Sequence, residues 1–463
     1  MGNLFSGSGG SRHSRRLQVK ALGAASLALV NAACGGDQAT PAPAASGPGT
    51  TPVRLAMFNQ GGDQQSVTEW NTMLEPFTKK YPNVTFDVTG PDATIGPLAF
   101  VEKATALAAG GTPPDLTYSV TRNGPTIFAR GFTSDMNTLV KTEKIDLKDV
   151  SKPVLDNFDW RGSLLALPYD IGYAYVQYNR SLFAKAGVGD PGKLWESGKW
   201  NWDSFLEMST AMARSATADD ARVPYLVKTW EGDYLTIMRT HGGEMLSPDR
   251  TKLLIDQGAS VTALQLWADL AAKHKVSTSP TKPPQGGFNG GRLGMEPSHP
   301  GNIRAVQKFV KDNNSPYDWD IVPFPAPAGK KPVPVLFTNG LYAWKASKNQ
   351  AQVASVLKFL MEDEQMLRYG ALTGRDPARG SLQEKHLKNL GIPETAPKSW
   401  PKVYTEMAPL ARGVPWTVDY IEWHTMVQKE ILEPIADGTK TVQAAIAEVM
   451  PKVQAVLSRN APK

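Results

Sequence analysis

At 463 residues the chain can bury more than one core. Its 41% hydrophobic and 20% charged residues describe a globular protein rather than a disordered or membrane-embedded one. The formal charge is +6, but Arg12, Arg15, Arg16 and Lys20 supply four of the 50 basic residues; without them 46 face 44 acidic residues, a net of +2. That excess is too small for a nucleic-acid footprint. A single cysteine, Cys34, excludes an intramolecular disulfide and a CxxC site.

Residues 1–34 read as a targeting segment. A basic stretch precedes the apolar run Ala21–Val30, which at about ten residues suits a signal peptide and is too short to span a bilayer. Ser14-Arg15-Arg16-Leu17-Gln18-Val19-Lys20 resembles a twin-arginine export signal, with Gln18 where that signal usually carries Phe. The general secretory route stays open beside it. Ala32-Ala33-Cys34-Gly35 resembles the lipobox of bacterial lipoproteins, although Asn31 departs from the usual Leu or Val. That resemblance implies acylation of Cys34 and a lipid anchor without a transmembrane helix. The alternative is a chance thiol beside an ordinary cleavage site. Residues 35–52 are rich in Ala, Pro, Gly, Ser and Thr with one charge, Asp37, and read as a flexible tether.

Ordered elements begin at Val53–Phe58, a short apolar strand candidate. Val67, Trp70, Met73, Leu74, Phe77 and Tyr81 then recur at helical spacing, with Pro76 as a candidate kink. Val84–Val88 alternates and is rich in β-branched residues, so it reads as a strand. Val101–Ala109 reads as a helix closed by Gly110-Gly111, and Leu116–Val120 as a third strand. This β-α-β-α-β order predicts a parallel sheet covered by helices. Further on, Tyr173–Tyr178 reads as a strand. Val261, Leu264, Ala268 and Ala271 share one helix face, as do Val353, Val356, Leu357 and Leu360. The fold class is α/β. About 410 residues after the tether favour two lobes over one core.

Catalytic motifs are missing. Gly192–Lys199 has the wrong spacing for a phosphate loop, and Gly258-Ala259-Ser260-Val261-Thr262 lacks the last glycine of a nucleophile elbow. The six histidines show no HExxH spacing. No cofactor or metal is implied. A carboxylate pair for glycoside hydrolysis needs geometry rather than spacing, so a secreted carbohydrate-degrading enzyme stays open.

Several stretches carry a resemblance in consistent order: Met73–Val84, Ala106–Leu116, Leu167-Pro168-Tyr169-Asp170, Tyr178–Gly187, Trp202-Asp203-Ser204-Phe205, Phe288–Met295 and Ser347-Lys348-Asn349-Gln350. Together they resemble the extracellular solute-binding proteins of bacterial ABC importers, the maltose- and oligosaccharide-binding family, over roughly 53–460. The resemblance implies a periplasmic-binding-protein-like fold, with two α/β lobes joined by a multi-strand hinge and the ligand in the cleft between them. Lobe 1 is expected over 53–170 plus 335–375, and lobe 2 over 171–334 plus 376–460. Crossings are expected near Asp170–Tyr175, Pro334–Asn339 and Thr373–Arg379. The implied function is capture of a sugar or oligosaccharide and its delivery to a membrane permease. The protein is expected to be exported, periplasmic or at the cell surface, lipid-anchored and monomeric. A related binding protein for glycerol phosphate or a polyamine is the alternative.

Sugars offer hydroxyls to polar side chains and C–H faces to aromatic rings. Asn59, Gln60, Gly62 and Asp63 follow the first strand, and Arg122 and Asn123 the third, where open α/β sheets bind ligands. The resemblance adds Asp170 at the first crossover, Trp230 and Glu231 in the second lobe, and Glu296, Ser298, His299 and Asn302 after Gly294-Met295. It also adds Asn339, Arg375, and a late aromatic segment with Trp416, Asp419, Tyr420 and Trp423. Trp70 and Trp267, on helical stripes, are expected in the core.

Overall fold

The computed structural model describes residues 49–91, 98–217, 222–312, 317–392, 394 and 396–459. The expected targeting segment, Cys34 and residues 35–48 of the expected tether lie outside the described residues. Mixed α/β architecture is built on two sheets. The first contains β1 (Val53–Asn59), β2 (Val84–Thr89), β3 (Leu116–Val120), β6 (Leu167–Tyr173), β12 (Val335–Ala343), β13 (Asp376–Pro377) and β14 (Arg412–Gly413). Its order is β13-β6-β12-β3-β1-β2, with β14 beside β12. The second runs β11-β7-β10-β8-β9, built from β7 (Tyr175–Asn179), β8 (Val223–Leu226), β9 (Ser277–Thr278), β10 (Leu293–Ser298) and β11 (Trp319–Val322). A hairpin, β4 (Asp159–Trp160) with β5 (Ser163–Leu164), stands apart.

The three opening strands are parallel, as the β-α-β-α-β order predicts, with β1 between β2 and β3. The helix Gln64–Lys80 buries Trp70, Met73, Leu74 and Phe77, the i, i+3, i+4, i+7 stripe of an amphipathic helix. Pro76 sits inside this helix and cannot donate to the carbonyl of Thr72. The Arg368 guanidinium supplies the missing donor at 2.9 Å, which explains how an interior proline is tolerated.

The expected strand over Tyr173–Tyr178 is divided at Ala174. Tyr173 closes β6 in the first sheet, and Tyr175 opens β7 in the second. The Ala174 N–H donates to the Val335 carbonyl at 2.9 Å, tying this passage to the start of β12, where the chain returns to the first sheet. At the expected third crossing, Asp376–Pro377 still pairs with β6. Ser399 then bonds Asp320 on β11 through its N–H (3.0 Å) and hydroxyl (3.1 Å). Arg412–Gly413 returns to β12, and from Val414 onward the fully buried apolar residues belong to the second core.

Candidate functional site

Three cavities meet at Arg122, which follows β3 and lines all of them. One, about 400 Å³, is a recess against the first sheet. Its walls are Trp70, Phe100, Tyr118 and Tyr369, and its polar groups include Asn59, Gln60, Glu69, Asn123 and Arg375. A second, about 170 Å³, forms the floor where the sheets meet, between Asp170, Asn339 and Arg375 on one side and Trp230, Glu231, His299 and Trp416 on the other. The third, about 360 Å³, is a recess against the second sheet lined by Lys228, Trp230, Glu231, Tyr420, His424 and Gln428.

In the first recess Asn59 is 2% exposed, and its amide N–H donates to the Gly61 carbonyl at 2.8 Å. Because that partner can only accept, the amide orientation is fixed and the side-chain oxygen is left as an acceptor. That oxygen has no partner among the described residues. Asn123, equally buried, donates to the Ser119 hydroxyl at 2.9 Å and likewise leaves its oxygen unpaired. The Gln60 side-chain oxygen accepts from the Val120 N–H at 2.8 Å and braces β1 against β3. Arg122 has a buried Nε without a partner, and no carboxylate among the described residues pairs with it. Trp70 serves both ends: it is 1% exposed in the core, lies 4.8 Å from Tyr118 and 5.2 Å from Tyr369, and still lines the recess.

Asp170 anchors the floor. It is 1% exposed; one oxygen accepts from the Tyr118 hydroxyl at 2.6 Å, and the other from the Asn339 amide at 2.5 Å. The Arg375 guanidinium stands 3.7 Å away. Burial raises the pKa of Asp170, and Arg375, Tyr118 and Asn339 oppose that rise. Both oxygens are therefore engaged by the protein, and Arg375 and Asn339 are held by them.

Opposite, Trp230 stacks on Phe337 with centroids 4.7 Å apart and lies 5.5 Å from His299. Burial, with Arg375 and Lys228 nearby, pushes the His299 pKa down to about 3. Its Nδ1 accepts from the Gly301 N–H at 3.2 Å, which leaves Nε2 as the protonated nitrogen and a donor. Glu231 is 4% exposed, accepts from the Tyr420 hydroxyl and lies 3.6 Å from His424 Nε2. Burial also lowers the His424 pKa, and its Nε2 is 2.7 Å from the Tyr234 hydroxyl. Trp416, 4% exposed, meets Tyr420 edge-on at 4.6 Å and keeps an unpartnered indole N–H.

The structure thus brings Asn59, Gln60, Arg122, Asn123, Asp170, Trp230, Glu231, His299, Asn339, Arg375, Trp416 and Tyr420 around connected cavities. The other candidates are placed elsewhere, among them Asn302, which bonds Ser298. Asp63 caps the helix Gln64–Lys80, accepting from the Ser66 N–H at 2.9 Å and hydroxyl at 2.8 Å, and these bonds lower its pKa. Glu296 bonds Gln177 at 2.6 Å and Lys228 at 2.9 Å, behind the second recess. Ser298 accepts from Asn302 at 3.1 Å and is 1% exposed. Asp419 lines a separate cavity of about 200 Å³ beside the β4–β5 hairpin. Trp423 is fully buried, and its indole N–H donates to Thr417 at 2.8 Å.

Sequence reasoning missed Glu69, Tyr118, Phe337, Tyr369 and His424. Tyr118 lies on β3 just before Arg122, so the strand-end argument extended back two turns of the pleat would have found it. Tyr369 falls on an apolar helix stripe and carries no local signal.

The cleft and its fold have relatives. An ABC substrate-binding protein from Listeria monocytogenes in complex with cycloalternan superposes with a TM-score of 0.74 at 18% identity, covering 88% of this chain and 99% of that one. A solute-binding protein of an ABC transporter from Thermotoga lettingae, bound with α-D-tagatose, gives 0.72 at 19% identity over 87% and 99%. The cyclic α-maltosyl-1,6-maltose-binding protein of Arthrobacter globiformis gives 0.71 at 21% identity over 88% and 100%. These likenesses establish the two-lobed fold. The family described as bacterial extracellular solute-binding protein matches residues 72–401. With well over half of its length inside that match, the chain belongs to the bacterial extracellular solute-binding proteins.

Proposed function

We propose that the chain is the substrate-binding protein of an ABC importer and that it captures a sugar or oligosaccharide in the cleft around Arg122. The observation that carries this reading is the pairing of aromatic faces with buried, unpartnered hydrogen-bonding groups. Arg122, Trp416, Asn59 and Asn123 line the cavities, and in each a side-chain polar atom (Arg122 Nε, Trp416 Nε1 and the side-chain oxygens of Asn59 and Asn123) is buried without a partner among the described residues. Leaving such groups unsatisfied costs about 1–3 kcal/mol each, and the hydroxyls of a carbohydrate both donate and accept. Trp230, Phe337, Tyr118 and Tyr369 supply the ring faces. The sugar-bound state of similar proteins, including those carrying cycloalternan and tagatose, supports the same ligand class.

In this reading Asn59, Gln60, Arg122, Asn123, Trp230, Glu231, His299, Asn339, Arg375 and Trp416 contact ligand, while Asp170 holds Arg375 and Asn339 in place. Lobe 1 is built on 53–173 and 335–375, lobe 2 on 175–334 and the chain from 414, with 376–413 running between them. Closure of the lobes over ligand presents the form that a permease recognises. The protein acts outside the cytoplasm as a monomer anchored through Cys34 after twin-arginine or general secretory export. It binds without cleaving. A thermal-shift screen against mono- and oligosaccharides tests the reading, because a ligand that binds only the native state raises the melting temperature. Glycerol phosphate and spermidine belong in the same screen, and stabilisation by either of them alone overturns the carbohydrate class. Hydrolysis products in the same mixtures would overturn binding without catalysis.

A further inference from the structure

The cavity beside the β4–β5 hairpin shares no lining residue with the three that meet at Arg122, and its walls come from both cores. Asp159, Trp160 and Arg161 belong to the hairpin, and Asp249, Arg250 and Thr417 stand across from them. The hairpin is tied to the first core. Leu164 is buried there, Trp160 packs against it, and the Leu164 N–H donates to Asp135 at 3.2 Å. The Arg250 turn is tied to the second core. Leu246 pairs with Leu253, both are buried there, and Gln454 donates to the Thr251 carbonyl at 2.7 Å.

Arg250 joins the two sides. Its guanidinium lies 5.8 Å from the centroid of the Trp160 ring, within the range at which a cation is drawn to an indole face. One of its nitrogens donates to the Trp416 carbonyl at 3.1 Å. Burial lowers the Arg250 pKa, and the charges that oppose this, Asp159 and Asp156, both lie on the hairpin's side. Its backbone has φ of 61°, in the left-handed region that glycine adopts without steric cost. What an arginine adds at that position is its side chain. Arg161 is left-handed too, but there the two-residue turn Arg161-Gly162 requires it. Nearby, the Thr126 hydroxyl donates to the Val418 carbonyl, a second bond between the two sides. The cavity of about 200 Å³ leaves the rest of this interface loosely packed, so the contact rests on few groups and can part without opening a core.

We propose that the β4–β5 hairpin is a clasp between the lobes: Trp160, carried by lobe 1, holds the Arg250 guanidinium of lobe 2, and this contact stabilises the closed arrangement against the open one. The proposal rests on the lobe closure of the reading above and adds where, outside the sugar cleft, the closed form is held. Once the lobes part, water solvates Arg250 in place of the ring, so the clasp biases the equilibrium without locking it.

Double electron–electron resonance on the full chain, without any sugar, tests the clasp. Spin labels are placed at Glu102→Cys on lobe 1 and Lys282→Cys on lobe 2 in a Cys34→Ser background; both positions are exposed, beside the cleft-lining Phe100 and Pro283. Trp160→Ala breaks the contact from lobe 1 and Arg250→Gly from lobe 2, so a variant that fails to fold leaves the other to decide. Each should lower the ratio of closed to open distances about two- to fivefold, the change expected of an exposed cation–π contact, and the double variant no further. Lys345→Ala, which removes a lysine 5.5 Å over the Phe128 ring within lobe 1, should leave the ratio unchanged. Two populations whose ratio neither variant changes, or that Lys345→Ala changes equally, overturn the clasp and leave lobe closure standing. A wild type with no population at the separation of this structure does the same. A single narrow distance at that separation in the wild type and every variant overturns lobe closure, and the clasp with it.

Discussion

Replacing Tyr118 by Phe removes one hydroxyl and keeps the ring that packs against Trp70, Tyr169 and Tyr369 at 4.8, 6.2 and 5.6 Å. The hydroxyl donates to a carboxylate oxygen of Asp170 at 2.6 Å, at a site where Tyr118 is 2% and Asp170 1% exposed. A hydrogen bond to a charged group contributes about 1.5–3 kcal/mol, so Tyr118→Phe should destabilise the protein by that amount. With an unfolding entropy of about 2.1 cal/mol/K per residue and about 400 folded residues, the melting temperature should fall by about 2–4 °C.

The loss has a direction in pH. The Tyr118 hydroxyl is among the groups that hold the Asp170 pKa down against burial. Removing it pushes that pKa further up. The wild type's advantage is therefore complete at pH values above the pKa of the variant and is lost as pH falls through the lower pKa of the wild type. Urea unfolding of both proteins from pH 4 to pH 8, with Asp170→Asn and the double variant to close a cycle, measures it. A difference below about 0.5 kcal/mol, within the usual scatter of additivity, or one that does not change with pH, would falsify the assignment of this bond to the ionised carboxylate.

Trp416→Ala should destabilise by about 3–5 kcal/mol, because the indole is 4% exposed and packed in the second core; an unchanged urea midpoint contradicts this. Trp230→Ala, at a partly exposed platform stacked on Phe337, should instead act on affinity, by about 1–3 kcal/mol if sugar stacking resembles base stacking, as titration calorimetry with the captured sugar reads out. His299 stays neutral to about pH 3, well below its ordinary value of 6.5, so the unfolded chain takes up the proton first. Its contribution to stability is whole above about pH 6.5 and declines by at most about 1.4 kcal/mol per pH unit as the solution is acidified. His299→Asn should accordingly gain on the wild type below pH 6, and a constant gap between the two at pH 4 and pH 7 contradicts the buried neutral imidazole. Cys34→Ser should move the protein from membrane to soluble fractions, and unchanged partition counts against the lipid anchor.

The opening of the fold was legible because each element has its own periodicity. Val53–Phe58, Val84–Val88 and Leu116–Val120 lie within strands that extend at most one residue further. The division at Ala174 was not legible, since every residue of β6 and β7 is buried and a run without alternation gives no sign of changing sheets. Nor was the placement of Asp376–Pro377, a two-residue strand whose pairing is set by β6 and not by its own sequence. At the cleft, the strand-end rule located Asn59, Gln60, Arg122 and Asn123. The same rule selected Asp63, where a second signal competed: an acid just before an amphipathic stripe is also a helix N-cap, and its oxygens are spent on Ser66. The aromatic segment divided for a similar reason. Residues three apart on a helix share a face, and the face of Trp423 turns to the core.

The polar cluster around Asp170 makes more sense as a device for position than for stability. Its members come from four separate places in the first sheet: Tyr118 from β3, Asp170 from β6, Asn339 from β12 and Arg375 from the turn before β13. Burial raises the pKa of Asp170 even with Arg375 nearby, so desolvation outweighs what these partners return. A well-packed apolar group could be more stabilising at such a point. What the carboxylate supplies instead is direction: two strands that lead toward the second sheet and the guanidinium bordering the first recess are held against one side chain. Under the lobe closure proposed above, Arg375 keeps its bearing on the cavity because its partner Asp170 lies on β6 of the same sheet that β13 joins. A guanidinium held only by the distant, mobile side of the cleft would lose its aim each time the lobes opened.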